Sequence, residues 1–410
     1  MCRISCHNVI VLSLLAACVL LAGCAASGRS GDAPEDAGAD ACRAALLYKD
    51  VLDENYMGDS RKILAMLAQD GLAAIDDAGE CSFVNPDVIH GFFAEKDAGG
   101  TPSVRFYRVC YDGGLICTTL YYADGWRCQN TRAAWRNGMP EVTFTADYAL
   151  TALSLTEKGS LIYTCDIPDN TAASKHDGYI EPTTIIRLTP KDPACVEAED
   201  KYLAGIGYNY NGLFTCTWTT ECPDSVCLND LYLSLWRLEH GDYIYYFNDP
   251  YPQMDGTAFS LVPGAEFEAL IMKYLDVPRE YIRAHAQYDA EADAYPVYVQ
   301  GPHDGVSDSM PSPEVTAVQR NADGTYTLTV DAVYPAYATD CAFTHVVTVR
   351  PEPDGAFRYM SNTLLPSPDN ILPPYTSRIV RTVVTVTGKA VELSDKHNLE
   401  RPFALSLIMC

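Results

Sequence analysis

The chain has 410 residues, of which 48% are hydrophobic and 20% charged, and its formal net charge is −25 at pH 7. This composition is typical of a globular protein, and the length predicts two or three domains. Because nucleic acids and anionic lipid surfaces are polyanions, such an acidic chain is not expected to bind either of them directly.

A lipoprotein signal peptide is predicted over residues 1–23. Arg3 precedes an apolar run over 9–21 that is too short to span a bilayer. Small residues then come directly before a cysteine in Leu21-Ala22-Gly23-Cys24, as lipoprotein processing requires. We therefore expect Cys24 to be lipidated and to anchor the chain on the extracytoplasmic face of the cell membrane. In the alternative, the signal is an ordinary secretory one and Cys24 is a plain thiol.

Four segments are predicted after the signal peptide. Residues 24–41 are small, polar and contain proline, which is typical of a flexible tether behind the lipid anchor. A first lobe over 42–192 and a second lobe over 193–366 follow, with prolines at their boundary. The tail over 367–410 differs in composition from the rest, and it is either a last hairpin or an appendix that does not match the two lobes.

The first lobe begins with helical spacing of apolar residues over 42–78 and then changes to a period of two. Asp-Gly and Asn-Gly turns separate the extended segments, and these turns favour hairpins because they supply the positive φ that a tight turn needs. The pattern therefore predicts an antiparallel meander. Its strands are predicted over residues 103–111, 115–122, 126–135, 139–150, 161–165 and 183–188.

The second lobe repeats this order of elements. Helices are predicted over 196–203, 228–239 and 265–275, and another begins at Pro278. Extended segments are predicted over residues 295–300, 314–320, 325–333, 343–350 and 357–360. The fold class is therefore α+β, with two lobes that each have N-terminal helices followed by an antiparallel β-meander.

The chain contains 16 cysteines, and in an exported protein this number favours some disulfides. Cys110 and Cys117 flank a hairpin turn. Cys110 lies opposite Cys117 if Gly113-Gly114 form a two-residue turn. If Asp112-Gly113 form it instead, Arg108 lies opposite Cys117 and the disulfide is lost.

A denser group consists of Cys216, Cys222 and Cys227. Its spacing favours a disulfide with a third partner, and free thiols are the alternative. Metal binding is disfavoured because zinc sites use tighter C-x2-C knuckles and a fourth ligand.

Alternate carboxylates at Asp289, Glu291 and Asp293 resemble the start of a calcium-binding loop. Such a loop also needs Gly at its sixth position and Glu at its twelfth, where this chain has Ala294 and Gln300. The pattern therefore favours a solvated turn, and neither a metal nor another cofactor is predicted.

Tyrosine is unusually common, with 27 residues. Several tyrosines crowd two loops that also contain Asn and Asp, and flat rings beside such groups suit sugar binding. Packing between strands is the alternative. The candidate binding residues are Tyr208, Tyr210, Tyr243, Tyr245, Tyr246 and Tyr251.

Motifs for catalysis are scarce. The chain has no G-x-S-x-G nucleophile elbow, no phosphate-binding glycine loop and no H-E-x-x-H. Cys341 and His345 would make a thiol–imidazole dyad only if Cys341 lies in a loop, because residues four apart on a strand are about 13 Å apart. No catalytic residue is predicted.

Three functions fit these observations. The favoured one is a non-enzymatic binding or accessory ectodomain at the cell surface, with a glycan, a peptide or a membrane protein as partner. The first alternative is an envelope glycan hydrolase with a carboxylate pair, which predicts one raised pKa in an acidic cleft. The second is a transporter's solute-binding lipoprotein, which predicts alternating β-α-β units with parallel strands.

Residues in both lobes resemble uncharacterised lipid-anchored lipoproteins of gut Firmicutes and Actinobacteria, a domain of unknown function. The resemblance covers roughly residues 40–366. It implies an anchored extracytoplasmic protein but no catalytic residue, because no activity is assigned to that family. The residues that carry it are Leu261-Val262-Pro263, Phe267-Glu268, Tyr274-Leu275, Arg283, Ala286, Tyr288-Asp289, Tyr295, Pro313-Glu314-Val315, Asp323-Gly324, Tyr326, Leu328, Val330, Thr344-His345, Tyr121-Tyr122, Gly125 and Thr156-Glu157-Lys158-Gly159.

Overall fold

The structure of the protein is a computed structural model. It describes residues 36–52, 60–76, 81–167, 182–209, 211–223, 225–242, 244–245, 249–252, 259–299 and 310–374. The predictions for the signal peptide, for residues 24–35 of the tether, for most of the tail and for four single residues lie outside the described residues. Those residues are Cys24, Tyr210, Tyr243 and Tyr246.

Helices and strands occur in both lobes, which confirms the predicted α+β class. The helices are α1 (Ala37–Leu46), α2 (Arg61–Gln69), α3 (Asp87–Asp97), α4 (Pro193–Tyr202), α5 (Leu228–His240), α6 (Gly264–Tyr274) and α7 (Arg279–His285). The strands of the first lobe are β1 (Ala74–Asp76), β2 (Val104–Val109), β3 (Leu115–Tyr122), β4 (Trp126–Arg136), β5 (Met139–Leu155), β6 (Ser160–Cys165) and β7 (Thr183–Arg187). Those of the second are β8 (Trp218–Thr219), β9 (Phe259–Pro263), β10 (Ala294–Tyr298), β11 (Ser312–Arg320), β12 (Tyr326–Val333), β13 (Thr344–Pro351) and β14 (Phe357–Leu364).

The first lobe is one seven-stranded sheet whose strands follow chain order from β1 to β7. Every neighbouring pair is antiparallel except β1 and β2, which are parallel. β5 is long enough to pair with two partners in succession. It pairs with β4 as far as Arg127↔Ala149 and with β6 from Leu150↔Cys165 onward. A bulge between Leu150 and Ala152 marks this change, and the sheet curls there.

Both faces of this sheet are covered, since successive side chains of a strand point to opposite faces. Phe106 and Leu120 pack with α3 on one face. Val109, Leu115 and Cys117 pack with α1 and α2 on the other face. The first lobe therefore has two thin cores, one on each side of the sheet.

Two helical boundaries differ from the prediction. α1 begins at Ala37, inside the segment predicted as a tether, because Ala41 and Ala45 bury their small side chains against the sheet. The tether prediction is thus corrected for residues 37–41. Ala74–Asp76 form a strand inside the range predicted as helical, where all three residues are buried and pair with β2.

The second lobe has one large core. A five-stranded sheet, in the order β11-β12-β13-β14-β8, and the antiparallel pair of β9 and β10 pack against α4, α5 and α6. Three stacked rings lie at its centre: Phe267 is 5.0 Å from Tyr232 and 4.1 Å from Tyr295, measured between ring centroids.

The two lobes meet through polar side chains at the ends of their sheets. Lys158 and Arg187 belong to the first lobe, and their partners lie on strands β12 and β11. The contacts are Thr156–Asp340, Lys158–Asp331 and Arg187–Glu314. Part of the predicted tail also joins the second lobe, since the Ile371 N–H donates to the carbonyl of Ala342 at 2.8 Å.

Among the residues that the structure describes, no helix is both long and apolar enough to cross a membrane.

Candidate binding surface

Aromatic and carboxylate side chains meet where α5 ends beside α6. Every residue of α5 from Leu228 to Leu235 is buried, and only the last turn of the helix reaches the surface. Gly241 ends the helix at φ 76°, a conformation that glycine adopts without strain, and its N–H donates to the carbonyl of Arg237. We call the surface formed by Trp236, Glu239, His240, Tyr251, Glu266 and Lys273 the α5–α6 surface.

A stacked pair of rings forms the centre of the α5–α6 surface. Trp236 and His240 are one helical turn apart, and their ring centroids are 3.8 Å apart at an interplanar angle of 19°. His240 Nδ1–H donates to the Trp236 carbonyl at 3.0 Å, which fixes the imidazole against the helix. Because Trp236 is half-buried and His240 exposed, the flat ring presented to solvent is that of His240.

A chain of hydroxyl groups lies beside this stack. The Tyr251 hydroxyl donates to Glu266 Oε1 at 2.5 Å, so it accepts from the Tyr232 hydroxyl at 3.0 Å. Its ring meets Trp236 edge-on at 6.0 Å. Burial, and then the hydrogen bonds to Glu266 and Tyr232, raise the pKa of Tyr251, so the hydroxyl stays protonated and keeps its donor role.

An ion pair forms another part of the α5–α6 surface. Lys273 Nζ lies 2.6 Å from Glu239, and the Tyr274 hydroxyl donates to the same carboxylate at 2.7 Å. These two donors lower the pKa of Glu239 below its ordinary value, so this carboxyl is ionised at neutral pH. The α5–α6 surface thus combines a flat ring with carboxylate acceptors and an ammonium donor.

The structure places the described candidate tyrosines differently. Tyr251 lies on the α5–α6 surface, and Tyr245 is half-buried in the segment that precedes it. Tyr208 is wrong as a binding residue, because it is only 2% exposed and its hydroxyl is 2.8 Å from His345 Nε2 inside the second lobe.

His345 is a structural residue and no partner of Cys341. Asn362 gives its amide N–H to the carbonyl of Cys216, so its oxygen faces His345 Nδ1 at 2.7 Å and accepts from it. Nε2 therefore accepts from Tyr208, and the imidazole is neutral. Burial lowers the pKa of His345 to about 4. The Cys341 sulfur lies instead 3.5 Å from Thr344 Oγ1.

The acidic residues Asp289, Glu291 and Asp293, which resemble the start of a calcium-binding loop, lie in a turn. Asp289 Oδ1 accepts the N–H groups of Glu291 and Ala292 at 3.0 Å, and Asp289 pairs with Ala294. Asp293 accepts from the Tyr288 hydroxyl at 2.5 Å. The carboxylates of Asp289 and Asp293 are thus bonded within the turn, and the described residues contain no group of His, Cys, Asp and Glu that could hold a metal ion.

The disulfide candidates are thiols in the structure, as are all 11 described cysteines. Neither predicted register of the first hairpin forms, because its turn spans 110–114 and Tyr107 lies opposite Cys117. Cys117 packs under α1 and α2, whereas Cys110 lies beside Arg132. The second group consists of Cys216, Cys222 and Cys227. In this group the Cys216 thiol donates to the carbonyl of Gly212 at 2.9 Å.

An ion-pair network contains four of the residues that carry the family resemblance, namely Glu268, Arg283, Tyr288 and Tyr295. Glu268 is fully buried, and its carboxylate receives Arg279 at 2.8 Å, Arg283 at 2.6 Å and the Tyr295 hydroxyl at 3.0 Å. The Arg283 guanidinium also lies over the ring of Tyr288 at 5.0 Å. This network joins α6, α7 and β10, so its role is to hold the fold.

Trp236, His240 and Glu266 were missed by the sequence reasoning. Trp236 and His240 are four residues apart on a predicted helix, and this spacing was the available signal for the stack. Glu266 is brought to Tyr251 only by the tertiary fold.

Comparison with curated proteins and with solved structures found no match. A family model does match the chain, over residues 32–378. The lipid anchor and the bacterial source that the resemblance implies stay predictions. The match extends beyond Pro366, so the first part of the predicted tail is included in it. The chain belongs to DUF6070, a family of unknown function.

Proposed function

We propose that this protein is a lipid-anchored ectodomain on the extracytoplasmic face of the cell membrane and that it binds an uncharged glycan at the α5–α6 surface. The observation that carries the proposal is the His240–Trp236 stack beside the Tyr251–Glu266 hydrogen bond. A sugar ring packs its C–H face on a flat ring and gives its hydroxyls to nearby carboxylates. The net charge of −25 disfavours polyanionic glycans.

Binding without catalysis is the better interpretation of these carboxyl groups. A glycan hydrolase needs one carboxyl that stays protonated near neutral pH. Glu239 has the opposite property, because Lys273 and Tyr274 lower its pKa. The solute-binding alternative is also disfavoured, since its parallel β-α-β units contrast with the meanders of both sheets.

The proposed lipid anchor rests on the lipoprotein processing sequence Leu21-Ala22-Gly23-Cys24. Cells that express the chain would be fed an alkyne fatty acid, and the labelled protein would be detected in membrane and soluble fractions. We expect label on the native chain and none on Cys24→Ala, which should also leave the membrane fraction. Label on Cys24→Ala, or a native chain without label, contradicts the anchor.

The binding proposal is tested by titration calorimetry with a panel of neutral oligosaccharides, including N-acetylglucosamine oligomers from peptidoglycan. His240→Ala removes the exposed ring, and Tyr251→Phe removes only the hydroxyl that meets Glu266. We expect affinity for one glycan class to fall about tenfold or more in each variant, because His240→Ala loses the ring on which the sugar packs and Tyr251→Phe loses the hydroxyl that orients Glu266.

A matched control exists on α7. Tyr281 and His285 stack at 3.8 Å with the same four-residue spacing, and His285 Nδ1 likewise donates to the Tyr281 carbonyl. His285→Ala should therefore leave the affinity unchanged. Equal losses in His285→Ala and His240→Ala, or no heat with any glycan, would reject the α5–α6 surface as the glycan site.

A further inference from the structure

Two cysteines lie where the first sheet changes from one pair of strands to the next. Cys128 of β4 pairs with Tyr148, one residue before the β4–β5 ladder ends at Arg127↔Ala149. Cys165 of β6 pairs with Leu150, where the β5–β6 ladder begins. In a flat sheet two strands separated by a third are about 9.5 Å apart, which is too far for two thiols to meet. The curl at this point removes that separation.

The two thiols contact each other inside the core that packs on α3. Cys128 is 0% exposed and Cys165 is 4% exposed, and both belong to the same cluster of buried side chains. A hydrogen bond joins the two thiols, and the Arg108 guanidinium lies near both of them. Cys117 differs, because it is buried on the opposite face of the same sheet.

We propose that Cys128 and Cys165 form a disulfide when the chain folds in the presence of a disulfide oxidant. The proposal stands on the strand register and the thiol contact, and it is independent of the α5–α6 surface. The bond would join β4 directly to β6 and fix the curl of β5.

The chemistry is thiol–disulfide exchange in two steps. The Cys165 thiolate attacks one sulfur of the oxidant, an S–S bond breaks, and the first thiolate leaves. The Cys128 thiolate then attacks Cys165 Sγ and expels the second thiolate. The oxidant takes up two electrons, and the two protons of the cysteines pass to its two leaving thiolates.

Once β4 and β6 have paired with β5, Cys165 is the suitable attacking thiol. The hydrogen bond from Cys128 and the positive charge of Arg108 lower the pKa of Cys165, whereas the same hydrogen bond and burial raise the pKa of Cys128. A lower pKa means a larger thiolate fraction at neutral pH, and the thiolate is the nucleophile.

Oxidised glutathione is the probe. The purified chain is unfolded in guanidinium chloride with reductant, refolded with oxidised glutathione, blocked with iodoacetamide and digested with trypsin without reduction. Trypsin releases Cys128 in residues 128–132 and Cys165 in residues 159–175, and each peptide contains a single cysteine. We expect these two peptides to be linked and to separate on reduction.

The bond should also stabilise the chain, because it restricts the unfolded state. We expect the Tm of the oxidised chain to exceed that of the reduced chain by about 5 °C or more. Cys128→Ser and Cys165→Ser should lose this difference, whereas Cys117→Ser, a buried thiol of the other core, should keep both the linked peptide and the difference. Two separately alkylated peptides in the refolded native chain, or either peptide linked to a different cysteine, would overturn the proposal.

Discussion

The two lobes bury their polar groups in different ways. In the first lobe, buried polar side chains meet neighbours across adjacent strands, as Thr118 does when it donates to Asn130 at 2.6 Å. In the second lobe, a buried carboxylate and a buried imidazole receive partners that are distant in the sequence, as in Glu268 with Tyr295 and His345 with Tyr208. The first arrangement depends on strand register alone, whereas the second depends on how helices pack on a sheet.

The apolar cores of the two lobes also differ. The first lobe divides its apolar residues between two faces of one sheet, and the second collects them in one core. A residue in the larger core contacts rings from several elements. Three predictions test this comparison.

The largest effect is expected from Phe267→Ala. This ring lies between Tyr232 and Tyr295, so its removal costs a buried side chain and two stacked contacts. We expect the free energy of unfolding, measured by urea titration, to fall by about 3–5 kcal/mol.

Phe106→Ala is the matched change in the first lobe, where the ring is equally buried but meets Phe83 only in a tilted contact at 6.1 Å. Each aromatic pair contributes about 0.5–1.5 kcal/mol beyond burial, so the loss should be smaller than in Phe267→Ala. An equal or larger loss in Phe106→Ala would contradict the comparison of the two cores.

The second prediction concerns acid. Burial lowers the pKa of His345 from 6.5 to about 4 in the folded chain. Between pH 6.5 and pH 4 the unfolded chain binds more protons than the folded chain. The contribution of His345 to the free energy of unfolding is therefore fully present above pH 6.5 and is lost as the pH drops towards 4. The loss should reach about 3 kcal/mol.

Urea titrations from pH 7 to pH 4 measure this dependence. His345→Gln should flatten it, because glutamine does not titrate. His285→Ala removes an exposed histidine and should leave the slope unchanged. A slope in His345→Gln equal to that of the native chain would show that other groups cause it.

The smallest effect is expected at the contact between the lobes. Lys158 pairs with Asp331 and its side chain is 39% exposed. Water screens the half-exposed lysine, and the buried Asp331 keeps the Thr344 hydroxyl as a donor, so Lys158→Met should lower the free energy of unfolding by only about 1 kcal/mol. Lys273→Met is the control, because Lys273 is 41% exposed but pairs with Glu239 inside the second lobe.

Differential scanning calorimetry then separates the two variants. Only Lys158→Met should move the transitions of the two lobes further apart, since of these two ion pairs only Lys158–Asp331 joins the lobes. The same separation in Lys273→Met would mean that the Lys158 contact does not couple the lobes.

Regular patterns in the sequence predicted much of the fold. The meander from β2 to β5 was predicted because alternation and Gly turns specify strands locally, and α5 and α6 because their apolar residues follow a helical period. Ala74–Asp76 were missed because a short, fully buried strand has no alternation to detect.

The candidate site was predicted less well, for a physical reason. Tyrosine suits both a buried core and a binding surface, so composition alone did not distinguish Tyr208 from Tyr251. The two tyrosines differ in their hydrogen-bond partners. The Tyr208 hydroxyl donates to the buried His345, whereas the Tyr251 hydroxyl donates to the exposed Glu266. Both partners are brought close only by the tertiary fold.

The double pairing of β5 has a consequence for local opening. Its first part completes the ladder of β4 and its last part that of β6, so one continuous strand carries both ladders, and side chains of β4 and β6 lie in the same core. Amide protons from β4 to β6 should therefore exchange with solvent together, as one cooperative unit with a single opening free energy.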